Sequence, residues 1–411
     1  MGLYTLPDRL HFYYTSNMNH LKYEQLSAPL KNQLRSLDDV IARQDNGLTE
    51  VIWFFIQIDR IGHLSQEPWV MRNLFPPSQF SLTALVPSTN LTKWACADIS
   101  PYFTNFRVLT INDSEMLPAV DILTSSTVVE FERRLYVFSI SAPLMNELVE
   151  HRKLGNALTY EQSSIQQENR FREFIGANSL EKFDKFVVYH CREGGYLPSQ
   201  YSYHSYRDAC PRNAELAISY LIDSGYAVIR IGDATMTPLN LKMKGRVDLP
   251  FSQQITDIST IELVACCDIY FGTTSGPSSI AQMFKKTSFL HNSSCIGYLV
   301  MDNTLILPKS CFDLRTRSFL TYEEIVFRGI GNYSETERYN NAALISVENS
   351  PVQLELLTQD GIVLYESNFE LPISDSLQSM PWKSFAFNES RAGTLYGPAE
   401  SVNLYLSRAF I

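Results

Sequence analysis

The chain has 411 residues, of which 45% are hydrophobic and 19% are charged, and this composition excludes an intrinsically disordered protein. The length predicts two α/β domains of roughly 150–200 residues each. The formal net charge of −10 excludes general nucleic-acid binding, because an acidic protein has no overall field that attracts a polyanion.

Composition also predicts the compartment. The seven cysteines include no CxxC pair and no Cys/His spacing typical of structural zinc. Their apolar neighbours, as in Ala265-Cys266-Cys267, predict reduced thiols in a cytosolic protein. The N-terminus has no secretory signal, and the longest apolar run, 51–58, is too short to span a membrane. We therefore expect a cytoplasmic protein that is not integral to a membrane, although it could associate peripherally with the inner face of the cytoplasmic membrane.

The first part of the chain predicts a Rossmann-like domain over residues 49–178. Residues 1–48 have leucines at helix-like intervals and indicate a helical preface. The continuous β-prone run 51–58 predicts a parallel strand that is covered on both faces, and a helix follows over 64–74. Further strands are predicted at 80–86, 106–111 and 135–140. Residues 142–178 are polar and mostly helical in pattern, and we interpret them as a bridge out of this domain.

A second strand–loop–helix series begins at Lys185 and predicts another Rossmann-like domain over 179–334. Its strands are predicted at 186–190, 226–231, 269–271 and 288–291, and its helices at 214–224, 261–267 and 277–284. Alternation of this kind is typical of a doubly wound parallel sheet. The tail 335–411 is less regular, and its last helix could cross back to the first domain. The fold class is therefore α/β, with two Rossmann-like domains, parallel sheets and a cleft between the domains.

Ligands of such sheets bind beyond the carboxyl ends of the strands, and the loop 272–279 lies at one of these ends. Its small residues allow close approach of a ligand, and the following helix offers unpaired N–H groups and a positive dipole end to a phosphate. The phosphate-binding candidates are Thr273, Thr274, Ser275, Gly276, Ser278 and Ser279. The alternative is a helix capped by serine or threonine, with Pro277 in its first turn and no ligand.

Three arginines are placed to meet at the same edge. Arg192, Arg207 and Arg230 follow or end predicted strands, and arginine suits the recognition of a phosphate or a sugar carboxylate. The alternative is a set of solvated surface arginines that pair with Glu193 or Asp208.

A carboxylate and a histidine are the candidate reactive groups. Asp233 follows Gly232 at the end of a strand, where it could act as a nucleophile or base, or else cap the next turn. In the first domain, Arg60 and Gly62 precede His63 directly after the first strand. Gly62 permits a tight turn, and His63 would exchange a proton with an acceptor hydroxyl unless its role is structural.

The order of these segments resembles a known family. The matching segments are Arg60-Ile-Gly-His63, His190-x-Arg192-Glu193-x-x-Tyr196, Tyr206-Arg207-Asp208, Gly225-Tyr-x-Val-Ile-Arg-x-Gly-Asp233, Cys267-Asp-x-Tyr-Phe-Gly-Thr-x-Ser-Gly276 and Asn292. The series resembles bacterial surface-polysaccharide glycosyltransferases, in particular the retaining β-Kdo transferase domain of lipopolysaccharide O-antigen assembly proteins. The resemblance covers about residues 50–330 and is strongest over 186–292.

The resemblance implies a GT-B fold, with the acceptor in the N-terminal domain and the donor nucleotide in the C-terminal one. It implies CMP-β-Kdo as donor, a glycan or glycolipid as acceptor, no cofactor, and Asp233 as the nucleophile of a covalent intermediate. His63 would activate the acceptor, beside Arg60 and Gly62. The implied donor-binding residues are Arg192, Glu193, Tyr196, Arg207, Arg230, Gly232, Thr273, Thr274, Ser275, Gly276, Ser278, Ser279 and Asn292.

Two other interpretations remain open. The donor could be a UDP- or GDP-hexose, or the chain could be a non-catalytic nucleotide- or glycan-binding module of a larger assembly enzyme. The sequence has no DxD motif, since Asp257 and Asp268 are isolated, and we therefore expect transfer without a metal.

Overall fold

The structure is a computed structural model, and it divides the chain into two compact units, Met1–Thr159 and Tyr160–Ile411. It describes residues 19–44, 46–55, 57–87, 99–111, 127–138, 144–145, 147–148, 151–152, 154–195, 201–252, 258–294, 303–368 and 404–406. Each unit contains a mainly parallel sheet with helices, and two consecutive Rossmann-like units are the components of the GT-B fold that the sequence predicts.

The first unit has a six-stranded sheet in the order β1-β5-β6-β2-β3-β4. Only the pair β5–β6 is antiparallel. The strands are β1 Asn19–Lys22, β2 Thr49–Phe54, β3 Phe80–Pro87, β4 Phe106–Ile111, β5 Thr127–Phe131 and β6 Arg134–Phe138, and the helices are α1 Ala28–Val40 and α2 Ile61–Leu74. Val51 to Phe54 are all buried, which explains why β2 reads as a continuous apolar run instead of an alternating one.

The second unit has a seven-stranded, fully parallel sheet in the order β16-β12-β11-β10-β7-β8-β9. Its strands are β7 Lys185–His190, β8 Tyr226–Arg230, β9 Arg246–Asp248, β10 Ile269–Thr273, β11 Thr287–Ser293, β12 Thr304–Pro308 and β16 Leu404–Leu406. A small antiparallel sheet contains β13 Ser310–Asp313, β14 Ser318–Phe319 and β15 Leu344–Val347. The helices are α3 Ile165–Ala177, α4 Tyr201–His204, α5 Glu215–Asp223, α6 Thr260–Cys266, α7 Gly276–Met283, α8 Tyr322–Phe327, α9 Thr336–Asn341 and α10 Pro351–Glu366.

The strand order of this sheet identifies where a ligand is most easily accommodated. From β7 the chain proceeds outward through β8 to β9, and it then returns to β10 on the other side of β7 and continues outward to β12. This is the Rossmann order 3-2-1-4-5-6, whose direction reverses between β7 and β10. Loops leave the two strands in opposite directions at such a switch point, so a crevice opens at their carboxyl ends.

Most predicted strands and helices are confirmed within a few residues, but the interior strands β5 and β12 were not predicted. The polar segment Asn19–Lys22, inside the predicted preface, is a strand that pairs with β5. Helix α3 belongs to the second unit, where Phe171 packs on Phe186 with ring centroids 5.3 Å apart, so the unit boundary precedes the predicted one at residue 178. Helix α10 also packs in that unit, because Leu354 and Leu357 belong to the core of its parallel sheet. Among the described residues, no helix combines the length and apolarity that crossing a bilayer requires.

Candidate functional site

The switch point of the second sheet brings two strand ends into close contact. Residue Gly272 of β10 lies against the carbonyl of His190 at the end of β7, and a Cβ at position 272 would collide with that carbonyl. The hydroxyl of Thr273 accepts a hydrogen bond from the backbone N–H of Arg192, at 2.9 Å. The lack of a side chain at Gly272 therefore allows the loop after β7 and the loop after β10 to form one edge.

The loop after β10 turns directly into helix α7. Ser275 occupies the N-cap position, and its N–H donates to Oγ of Ser278 at 3.1 Å. The hydroxyl of Ser278 in turn donates to the carbonyl of Ser275 at 2.7 Å, so Ser278 has the capping role that the sequence leaves open. Thr274, Ser275 and Gly276 are half-buried, and so is Ser279. This part of the loop is the one that remains accessible to a ligand.

Two of the three candidate arginines, Arg192 and Arg207, lie beside the helix start. Arg207 donates from Nη2 to the carbonyl of Thr274 at 2.6 Å. Arg192 forms an ion pair with Asp208 and donates to the carbonyl of His204 at 3.1 Å. Burial and then the neighbouring Arg207 lower the pKa of Arg192, whereas Asp208 opposes that shift. The two guanidinium groups are thus close enough to repel each other, which makes this corner attractive to an anion.

The third arginine is part of the scaffold. Arg230 is fully buried, and its guanidinium bridges Glu193, at 3.2 Å, and Asp248, at 3.4 Å. Glu193 also accepts the backbone N–H of Thr237 at 2.9 Å. The interpretation of Arg230 as a solvated surface residue is therefore wrong, and the geometry gives Arg230 and Glu193 the role of fixing the loop after β8.

Asp233 lies in that loop, after a glycine that the backbone requires. Gly232 has a φ of +148°, and a side chain there would collide with Met236. Oδ1 of Asp233 accepts the N–H of Thr235 at 2.8 Å and also its hydroxyl proton. Oδ2 has no hydrogen-bond partner in the described part of the chain. One oxygen therefore caps the turn, as the structural alternative predicts, and the other is available for chemistry.

Two site residues were not predicted from the sequence. His190 places its Nδ1 3.0 Å from Oγ of Ser275. Lys309, which is 5% exposed, donates from Nζ to the carbonyl of Asp208 at 2.6 Å, and burial lowers its pKa. Burial raises the pKa of Asp208, against the influence of Arg192 and Lys309. Lys309 therefore adds a third cation to this corner of the sheet.

The predicted donor-binding residue Asn292 has a structural role. Asn292 is buried and forms a reciprocal pair with Asn349, in which each side-chain oxygen accepts the other residue's backbone N–H, at 2.6 and 2.8 Å. The amide nitrogen of Asn292 lies 2.8 Å from Nδ1 of His291. Asn292 thus ties the end of β11 to the segment before α10. Tyr196 lies outside the described residues.

Buried histidines make this unit sensitive to acid. Burial lowers the pKa of His190 to about 4 and that of His291 to about 3. Because both values lie below the ordinary value of about 6.5, the unfolded chain binds more protons than the folded one below that pH. The stability that the neutral histidines contribute has its full value above pH ~6.5, and the free energy of unfolding is expected to fall as the pH decreases toward about 4.

We expect His291→Gln to reduce this acid sensitivity by roughly 1 kcal/mol per pH unit, because one of the two buried titrating groups is removed. Urea denaturation of both proteins at several pH values between 4 and 7 measures the slope. If the free energy of unfolding depended equally on pH in the wild type and the variant, buried His291 would not be a source of the acid sensitivity.

The predicted acceptor-side residues lie at the start of α2 in the first unit. His63 is in the first turn, and its Nδ1 is 2.7 Å from Oε1 of Glu67, which is only 3% exposed. Arg60 is the N-cap residue of the helix. The tight turn that Gly62 permits is not formed there: Gly62 lies within the helix, and the chain turns at residues 58–59. Helix geometry places His63 one turn before Glu67, so the carboxylate orients the imidazole.

Comparison with known proteins gives distant similarities only. No protein-family model matches the sequence, and no curated protein matches it. The chain is similar to a glycosyl transferase family 9 structure from Veillonella parvula, with 11% identity over 63% of this chain and 86% of that one, and a TM-score of 0.40. It is similar to the iron-containing heptosyltransferase TibC of enterotoxigenic E. coli, with 12% identity over 78% of this chain and 77% of that one, and a TM-score of 0.38. It is also similar to E. coli ADP-heptose lipopolysaccharide heptosyltransferase II, with 12% identity over 59% of this chain and 83% of that one, and a TM-score of 0.34. Similarities of this size do not by themselves establish an activity.

Proposed function

We propose that the protein is a glycosyltransferase that moves a sugar from a nucleotide donor onto a glycan or glycolipid acceptor in lipopolysaccharide or capsule biosynthesis. The observation that supports this most directly is the arrangement at the switch point of the second sheet. A helix N-terminus and the guanidinium of Arg207 lie at the end of β10, and the carboxylate of Asp233 follows β8, on the other side of β7. The first two groups suit a phosphate, and the third suits an anomeric carbon.

In this proposal the phosphate of the donor binds over the first turn of α7. The N–H groups and the dipole of the helix start attract the negative charge. Arg207 donates one hydrogen bond from Nη2 to the carbonyl of Thr274, and its remaining N–H groups bind the phosphate. These groups also offset the charge that develops on the leaving nucleotide, and we therefore propose that transfer needs no metal.

Asp233 is the proposed nucleophile. Its Oδ2 attacks the anomeric carbon while the bond from that carbon to the phosphate oxygen breaks, and the electron pair leaves with the nucleotide. The acceptor oxygen then attacks the same carbon, the bond to Oδ2 breaks, and the acceptor proton passes to a base, a role that we propose for His63. Two displacements at one carbon retain the anomeric configuration.

For the donor we propose CMP-β-Kdo. Kdo has a carboxylate of its own, so its site needs a cation in addition to the one that binds phosphate. Arg192 and Lys309 supply positive charge next to Arg207. A UDP- or GDP-hexose has no such requirement, and it is the alternative that the experiment has to separate.

The test is product formation by purified protein that receives CMP-Kdo generated in situ and a panel of short glycan acceptors. Product supports the proposal, NMR of the new linkage reports retention or inversion, and an unchanged rate in EDTA supports metal independence. Product only with UDP- or GDP-hexoses would replace the donor. Absence of both product and a nucleotide-induced rise in melting temperature would overturn the proposal in favour of a non-catalytic module.

Arg207→Lys should weaken binding of the free nucleotide by about tenfold, because lysine keeps the charge but loses the planar fork that spans two phosphate oxygens. Isothermal titration calorimetry measures the dissociation constant. Arg212→Lys is the matched control, since Arg212 is exposed and its Nε donates to a backbone carbonyl, that of Pro238, at 3.3 Å. Equal effects of the two substitutions would contradict the role of Arg207.

A further inference from the structure

A histidine at the switch point has no role in the mechanism above. His190 is the last residue of β7, it is 8% exposed, and its Nδ1 is 3.0 Å from Oγ of Ser275. Ser275 is itself fixed, because its Oγ is 3.2 Å from the carbonyl of Thr273 and 3.4 Å from the hydroxyl of Tyr270. Contacts with two residues of β10 therefore fix Ser275, and Ser275 in turn holds the imidazole in one orientation.

The ring nitrogen left for a ligand is Nε2. Nδ1 bonds to Ser275 in either tautomer, as a donor to Oγ or as an acceptor of its proton. In the described part of the chain, no group forms a hydrogen bond with Nε2. Since His190 ends a strand at the open edge of the sheet, Nε2 is available to a molecule that occupies the crevice.

The charges around His190 indicate what kind of group it would bind. Burial and Arg230 lower its pKa to about 4, although the carboxylate of Asp233 is near enough to act in the opposite direction. The imidazole is therefore neutral at physiological pH. A neutral ring is a weak partner for phosphate, which Arg207 serves better, but it forms good hydrogen bonds with a hydroxyl.

We propose that His190 binds a hydroxyl group of the donor sugar through Nε2, beside the carbon that Asp233 attacks, and that Ser275 is a positioning residue for the ring. This inference rests on the proposed function and specifies its substrate class: a donor sugar with a free hydroxyl that reaches the switch point between β7 and β10. The phosphate and the sugar are thus recognised by different residues of the same edge.

The experiment separates the two nitrogens of the ring. His190→Asn keeps an amide near the Nδ1 position and loses Nε2, whereas His190→Gln places an amide near the Nε2 position. We expect His190→Asn to lower kcat/KM for the donor by about 10²-fold. The value for His190→Gln should be about tenfold higher than that for His190→Asn. Both variants should bind the free nucleotide with wild-type affinity and keep the wild-type melting temperature.

Ser275 gives an independent readout. Ser275→Ala should lower kcat by about tenfold with little change in nucleotide affinity, and Ser275→Thr, which keeps the hydroxyl, should restore it. Wild-type activity in His190→Asn, or a loss of nucleotide affinity as large as the loss of kcat/KM, would overturn the inference and leave the proposed function intact. A wild-type protein that neither transfers sugar nor binds nucleotide would overturn both.

Discussion

Asp233→Asn is expected to lower kcat for sugar transfer by at least about 10³-fold while the protein keeps its fold and its affinity for the nucleotide. The structure explains why the two properties separate. Asparagine retains an oxygen that can accept the N–H of Thr235, now 2.8 Å from Oδ1, so the turn persists. It replaces the other oxygen by an amide nitrogen that cannot attack an anomeric carbon. Chromatographic product assays measure kcat, calorimetry measures the affinity for the nucleotide, and thermal denaturation reports whether the fold is kept.

A second variant distinguishes a nucleophile from a turn cap. Thr235→Ala removes the hydroxyl that donates to Oδ1 of Asp233 and leaves the backbone donor and Oδ2 unchanged. We expect it to cost less than about tenfold in kcat and to cause only a small loss of stability, typical of one exposed hydrogen bond. Similar losses of activity in Asp233→Asn and Thr235→Ala would show that Asp233 matters only for the turn. Intact-protein mass spectrometry offers a direct check, because a retaining mechanism adds the mass of one sugar to the wild type and not to Asp233→Asn.

The sequence predicts most of the central strands, because burial on both faces produces long apolar runs; β12, which is buried throughout and was not predicted, is an exception. Val51 to Phe54 in β2 and Ile269 to Phe271 in β10 are examples, and each of these residues is buried. The edge strand β1 has the sequence NHLK, which carries no such pattern, and it is a strand because it pairs with β5 more than a hundred residues later. Edge pairing of this kind depends on long-range register, which neither periodicity nor propensity reveals.

The candidate site was predictable to the extent that its residues follow strands directly. The loop 272–279 and Asp233 are predicted in this way, because each follows a strand. The sequence predicts His190 only as the end of a strand. Its partner Ser275 lies 85 positions away, so the contact between them can be recognised only when the pairing of β7 with β10 is known. Arg230 shows the converse, because an arginine at a strand end suggests a ligand until Glu193 and Asp248 are seen on either side of it. Residue type indicates which hydrogen bonds a side chain can form, and only the fold determines its partners.

A buried ionic network in the first unit is expected to dominate that unit's response to mutation. Arg134 is 1% exposed and donates to Oε2 of Glu50 at 2.8 Å, to Oδ1 of Asp38 at 2.7 Å and to the carbonyl of Ile41 at 2.8 Å. Although burial opposes it, hydrogen bonds from Tyr136 and Arg134 lower the pKa of Asp38. The network joins the starts of β2 and β6 to helix α1, so one guanidinium from β6 satisfies acceptors of two other elements.

Arg134→Met should therefore lower the free energy of unfolding by about 2–4 kcal/mol, because Oε2 of Glu50 and Oδ1 of Asp38 lose a buried charged donor while the volume of the side chain is largely kept. Arg107, which donates to Oε1 of Glu50 at 2.8 Å, limits the loss. Urea denaturation followed by fluorescence measures the change, and Arg133→Met, at the exposed neighbouring position, should stay within about 0.5 kcal/mol of the wild type. The double variant Arg134→Met, Glu50→Gln should recover part of the loss, since it removes the buried carboxylate whose Oε2 has lost its donor, although it also weakens the contact with Arg107. A double variant that is less stable than Arg134→Met alone would show that the lost contacts of Arg134, and not the stranded carboxylate, account for the effect.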